Sequence, residues 1–346
     1  MKTRLFFAAA IVAFAAGITA SSAQFLGRVD ADPNSFPNTY GPATSFLKLP
    51  AGRTMGSSTG VAGDSKGNFW VLERCAANGC EGSKLDPIME FDASGTFIKA
   101  FGGGMMNFPH GLFIGKDDHI WVTDGRGADG KGHVVMEFDQ SGKLLRTLGK
   151  PGVAGDDPGI FNEPNAVLVA PDGSIFVADG HRPNVGSARI TKFDPNGKFI
   201  KQWGGHGDGL GGFNVPHALA MDSKGMLYVA DRWNNRIEIF DQTGTLHDVW
   251  TQFGRPSGIY IDKKDNIYVS DSESREPVSS GYHPGWKRGI RIGNVKDGIV
   301  RTFIPDTYES PDRVSTSGAE GIWADDKGVV YGAQVREKSI VKYAPR

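Results

Sequence analysis

Two histidines and a glutamate recur in one local setting. His110 stands in Asn-Phe-Pro-His-Gly-Leu-Phe and His217 in Asn-Val-Pro-His-Ala-Leu-Ala. Each directly follows a proline and directly precedes an apolar run, although 107 residues separate them. Glu320, in Gly-Ala-Glu-Gly-Ile-Trp, holds the same place later in the chain. Two imidazoles and a carboxylate with a position left open form the donor set of a catalytic zinc site. Fe(II) and Mn accept the same donors, and spacing does not choose among the three metals. A second group of polar residues lies about 15 residues after the first. It contains Arg74 in Leu-Glu-Arg-Cys, His181 in Asp-Gly-His-Arg, Arg232 in Asp-Arg-Trp and Ser272 in Asp-Ser-Glu. Guanidiniums beside a cationic centre suit a substrate with a carboxylate, which arginine grips through two parallel N–H bonds. His181 is the candidate base, because imidazole titrates near neutrality. Two plainer roles stay open. The first group would also line a hydrated channel without holding anything, and the arginines would equally neutralise Glu73 or Asp231.

Residues so far apart meet only if a repeat brings them together. Six segments share one layout, beginning at Thr59, His110, Asn165, His217, Ser257 and Glu320. Each runs from a small or polar residue through an apolar triplet, an Asp-x-x-Gly-type turn and an aromatic-Val strand to an acidic or polar residue. Most continue into a third strand ending in Phe-Asp and a further turn, as in Ile-Thr-Lys-Phe-Asp-Pro-Asn-Gly. Short strands with hairpin turns, repeated every 40 to 63 residues, cannot bury their faces alone. Packed radially they cover one another, which predicts an all-β, six-bladed β-propeller. The last copy ends one strand short at Tyr343, so Thr-Ser-Phe-Leu-Lys-Leu-Pro from Thr44 is expected to close the ring. The predicted division is residues 1–23 as leader, 24–43 as an extension and 44–346 as the propeller. In such a ring the six starting residues surround the axis, and alternate blades stand about 120° apart. His110, His217 and Glu320, on blades two, four and six, are therefore expected to converge.

Composition narrows the setting. Lys2 and Arg4 precede an apolar stretch and a small-residue end at Ser21-Ser22-Ala23, the pattern of a secretory leader cut before Gln24. Removing it takes two positive charges and no negative ones, so the formal net charge moves from −1 to −3. That balance gives no electrostatic basis for nucleic-acid binding, and no later run is apolar enough to span a membrane. The expected location is periplasmic or secreted. Cys75 and Cys80, the only cysteines, suit one local disulfide there. The Arg275–Gly289 insertion is long enough to bring Tyr282 or Trp286 over the channel mouth.

The pattern, including Tyr-Val-Ala-Asp-Arg-Trp-Asn-Asn-Arg-Ile-Glu-Ile-Phe-Asp from Tyr228, resembles the NHL-repeat family across nearly the whole mature chain. At Pro109-His110-Gly111-Leu112, Pro216-His217-Ala218-Leu219, Arg74 and Arg232 it is similar to the peptidyl-α-hydroxyglycine α-amidating lyases. That resemblance implies a six-bladed propeller with zinc held by histidines from alternate blades and arginines acting on the substrate. It implies cleavage of an N-acyl-α-hydroxyglycine carbinolamide to an amide and glyoxylate. This chain departs from the family at three places. Glu320 replaces the third zinc histidine, Gly321 replaces a calcium-ligating aspartate, and His181 replaces the catalytic tyrosine. The resemblance therefore implies Zn2+ without a matching Ca2+ site. Two other readings accompany it: a non-catalytic propeller that binds a peptide, sugar or protein, and a calcium-dependent lactonase-like hydrolase, which the histidine-rich ring does not suit.

Overall fold

The computed structural model describes residues 32–277 and 282–346; the expected leader falls outside them. Six four-stranded antiparallel sheets are arranged as blades. Their innermost strands are Ser58–Gly63, Pro109–Ile114, Pro164–Val169, Pro216–Met221, Gly258–Ile261 and Ala319–Ala324. Thr44–Ser45 pairs with Ser339–Tyr343 as the outer strand of the sixth sheet, so the expected closure is present. The same segment then reaches the first blade, where the Lys48 N–H donates to the Gly95 carbonyl at 2.8 Å. No described helix is long and apolar enough to cross a membrane.

Local chemistry explains why the repeat folds this way. Asp64, Asp222, Asp262 and Asp325 open the turn after the inner strand in blades one, four, five and six, and one carboxylate oxygen of each accepts the N–H groups two and four residues on. Such Asx-type bonds replace the ladder where the chain reverses. The turn then needs a left-handed residue, supplied by Gly67, Gly225 and Gly328, or by Asp265 with φ 61°. Second strands such as Leu227–Asp231 are buried at every residue, because each is covered by a blade on both faces. Phe176, Phe213, Val229 and Phe240 fill the space between blades three and four, and Trp70, Val122 and Phe138 that between blades one and two.

The acidic residue closing the second strand is a clamp. Asp124 accepts the Asn107 and Phe108 amides at 3.0 and 2.6 Å, Asp179 the Asn162 amide at 2.8 Å, and Asp231 the Asn214 amide at 2.7 Å. Asp271 and Glu73 do the same for Arg255 and Gly56. Each clamp fixes the loop that leads into an inner strand. A register shift follows near the start of that strand in blades one, two, three, four and six. Bulges of this kind re-aim a side chain, and here the re-aimed residues include His110, His217 and Glu320.

Blades meet closely at the axis. A Cβ on Gly321 would lie 2.2 Å from the Thr59 carbonyl oxygen, and one on Gly258 would lie 2.4 Å from that of Glu320. The neighbour is backbone and cannot swing aside. Gly321→Ala is therefore expected to cost about 1–3 kcal/mol by overpacking, read as a lower urea midpoint with an unchanged denaturant slope.

Candidate metal and substrate site

The six inner-strand starts form a ring at one end of the channel. His110 and His217 are 4% and 3% exposed and Glu320 is 7% exposed. The His110 Nδ1 meets the Asn165 carbonyl at 2.9 Å, and the His217 Nδ1 meets the Ser257 carbonyl at 2.6 Å. A carbonyl only accepts, so each Nδ1 carries the proton and each Nε2 presents a lone pair toward the axis. Both Nε2 atoms are buried with no hydrogen-bond donor. A Glu320 oxygen lies 3.6 Å from the His110 Nε2 and 3.9 Å from the His217 Nε2. The three residues therefore converge as the alternation of blades predicts.

His181 joins them. It arrives on the loop after the second strand of blade three, and its ring centroid is 4.8 Å from that of His110 and 5.6 Å from that of His217. One ring nitrogen from each of His110, His181 and His217 falls within 4.8 Å of the others, close enough for one ion to be shared after small rotations. Burial holds all three imidazoles well below their usual pKa, with nearby arginine charge acting in the same direction. A neutral imidazole is the form that ligates metal. Burial raises the Glu320 carboxyl, against the opposing pull of Arg74 and Arg232.

Both predicted arginines reach this centre. Arg74 is 3% exposed; its Nε donates to the Pro109 carbonyl at 3.1 Å, and a terminal nitrogen donates to the Asn78 side chain at 2.8 Å. Asn78 sits in the loop closed by the Cys75–Cys80 disulfide. Burial lowers the Arg74 pKa to about 10, while Glu320 opposes the shift. Arg232 lies 3.4 Å from Glu273, which also pairs with Arg255 at 3.0 Å, and the Arg232 Nε is buried without a partner. The expected partner Asp231 instead takes Arg236 at 2.9 Å, and Glu73 takes Arg53. Ser272 is spent on Ser257, hydroxyl to hydroxyl at 2.8 Å. In the insertion, Tyr282 packs edge-on to Trp233, the neighbour of Arg232, at 5.7 Å. Trp286 turns away to stack on His283 at 4.5 Å. Residues 278–281 lie outside the described residues.

Three functional candidates were missed in the sequence. Glu273 bridges two arginines. Phe108 places its ring 5.9 Å from His181 and 6.3 Å from His110. Arg126, in Asp124-Gly125-Arg126, occupies the position that His181 holds in Asp179-Gly180-His181. That parallel was the available signal. On the other side of the ring the channel encloses about 410 Å³, walled by side chains such as Leu112, Tyr260 and Trp323.

The NHL repeat model matches residues 213–240. Human NHL repeat-containing protein 3 is 29% identical over 280 residues, 77% of this chain and 75% of that protein. Xenopus laevis peptidyl-glycine alpha-amidating monooxygenase B is 32% identical over 268 residues, 72% of this chain but 27% of that protein. Drosophila melanogaster peptidyl-alpha-hydroxyglycine alpha-amidating lyase 1 is 29% identical over 222 residues, 56% of this chain and 39% of that protein. A streptogramin B lyase structure superposes with a TM-score of 0.54 at 15% identity, covering 88% of this chain and 98% of that chain, and shares the fold. The chain is a six-bladed β-propeller that carries an NHL repeat at residues 213–240. Among its relatives are the peptidyl-α-hydroxyglycine α-amidating lyases.

Proposed function

We propose that the chain is an exported, metal-dependent lyase that cleaves the C–N bond of an N-acyl-α-hydroxyglycine-type carbinolamide. The observation that carries this reading is the pair of buried, donor-free Nε2 atoms of His110 and His217, facing His181 and Glu320 beneath two arginines. Orphaned lone pairs in a buried site cost free energy, and a cation relieves the cost. Carbonyl bonds to the opposite ring nitrogens are the usual support of metal-bound histidine.

The residues fit the ion, with one change from the sequence expectation. His110, His181 and His217 would hold it, and Glu320, expected as a ligand, becomes the better base. Zn2+ suits three imidazoles with an open position and would supply Lewis-acid polarisation of the substrate hydroxyl. Arg74 and Arg232 would hold the substrate carboxylate through their free donors, fixing the carbinol carbon above the ring. Glu320 would accept the hydroxyl proton. The carbinol carbon then forms its carbonyl as the C–N bond breaks, the bonding pair stays on nitrogen, and Glu320 returns the proton there. The products are glyoxylate and a primary amide.

Glyoxylate release from an N-acyl-α-hydroxyglycine tests the reading. Glu320→Gln is expected to keep its metal and lose about 10²-fold or more in kcat, the range of a general base. An unchanged kcat would remove Glu320 from the chemistry. A metal-free wild-type protein of normal stability would favour a binding propeller instead, and human NHL repeat-containing protein 3 is a relative whose name states no reaction.

A further inference from the structure

The mouth of the site holds more positive charge than one substrate carboxylate requires. Arg74 and Arg126 each place their guanidinium carbon 3.7 Å from the centroid of the Phe108 ring. Two planar groups cannot share one face at that distance, so the ring lies between them. Arg74 is the buried inner layer and Arg126 the exposed outer one. Among the described residues neither has a carboxylate within ion-pair distance; Glu273 is taken by Arg232 and Arg255. The charge of Arg126 nevertheless reaches Arg74, His110 and His181. Two guanidiniums on one aromatic ring repel each other. Cation–π attraction of about 0.5–2 kcal/mol each offsets part of that, and an anion would offset the rest.

We propose that Arg126 and Phe108 form a second anion subsite, outward of Arg74, which selects substrates carrying a carboxylate on the acyl side of the scissile C–N bond. This deepens the lyase reading and rests on it for the inner subsite. In this arrangement Arg74 and Arg232 read the glycine-derived carboxylate. Arg126, held flat by Phe108, presents its N–H edge to the second anion, where a planar fork loses little freedom on binding. The substrate class is an N-acyl-α-hydroxyglycine whose acyl group is itself a short carboxylic acid.

Two unreactive probes separate the possibilities: N-acetylglycine, with one carboxylate, and N-succinylglycine, with two. Their dissociation constants are measured by calorimetry on the mature full chain, its metal content recorded, and on Arg126→Gln and Arg126→Lys. The wild type is expected to bind N-succinylglycine at least about tenfold tighter, the scale of one charge-assisted contact. Arg126→Gln is expected to abolish that preference while N-acetylglycine still binds and the metal content stays the same, and Arg126→Lys to restore part of it. Equal affinities in the wild type, or a preference that survives Arg126→Gln, would overturn the second subsite alone. Failure of both probes to bind would overturn the inner carboxylate site and the lyase reading with it.

Discussion

His217→Ala and His110→Ala are each expected to hold the divalent ion less tightly and to lower glyoxylate release by about 10³-fold or more, roughly 4 kcal/mol of transition-state stabilisation. The two variants should behave alike, because the sites are equivalent. Each imidazole is 4% exposed or less, is oriented by a carbonyl of the next blade and has a buried Nε2 with no other partner. Alanine removes one of the three imidazoles, and Glu320 replaces it as a ligand only by leaving its place as the base, so the ion is held less tightly and turnover is lost. The fold should survive, since the lost atoms face the channel and the interblade clusters are untouched. Elemental analysis and a glyoxylate assay check the two effects, and a thermal scan separates them from unfolding. Full metal and full turnover in either variant would remove that residue from the centre.

Asp231→Ala is expected to cost about 3–5 kcal/mol of stability, the range for removing one member of a buried ion pair. Asp231 is fully buried. One oxygen accepts the Asn214 amide at 2.7 Å, and the other meets Arg236 at 2.9 Å and the Asn234 side chain at 2.7 Å. Arg236 in turn donates to the Asp208, Gly209 and Gly212 carbonyls at 2.6 to 2.8 Å, so one carboxylate anchors both the His217 loop and the glycine-rich segment before it. Loss of Asp231 leaves Glu238, at 2.7 Å, as the one carboxylate on the buried Arg236 guanidinium, and leaves the Asn214 amide and the Asn234 side chain without their acceptor. Asp231→Asn keeps part of the hydrogen bonding and should cost less. Urea unfolding followed by tryptophan fluorescence measures both; a change below about 1 kcal/mol for alanine, typical of an ordinary surface substitution, would contradict the clamp.

The two predictions rest on features of unequal legibility. The blade count, the closing segment at Thr44 and the convergence of His110, His217 and Glu320 follow from periodicity, because a closed ring of equal units leaves little freedom for its innermost residues. The arginine partners were not legible. Arg232 has Asp231 beside it in sequence, yet strand geometry directs Asp231 toward Arg236, and Arg232 finds Glu273 on the next blade. His181 was recognised by type, but its place beside the two ring histidines depends on how a loop turns inward, which no periodicity records. Arg126 stands in a loop with four glycines from Gly125 to Gly132, whose composition does not reveal where the side chain lies. Only Phe108, buried by the Asp124 clamp on its own amide, gives that arginine a surface to lie on.

The central claim is that three imidazoles on one axis hold a single divalent ion. Metal stoichiometry of the purified chain, by elemental mass spectrometry after exhaustive dialysis, tests it most directly. The account predicts about one zinc-type ion per chain, the content of a mononuclear site. A correctly folded chain with no bound divalent metal, which also takes up none when zinc is added, would contradict it.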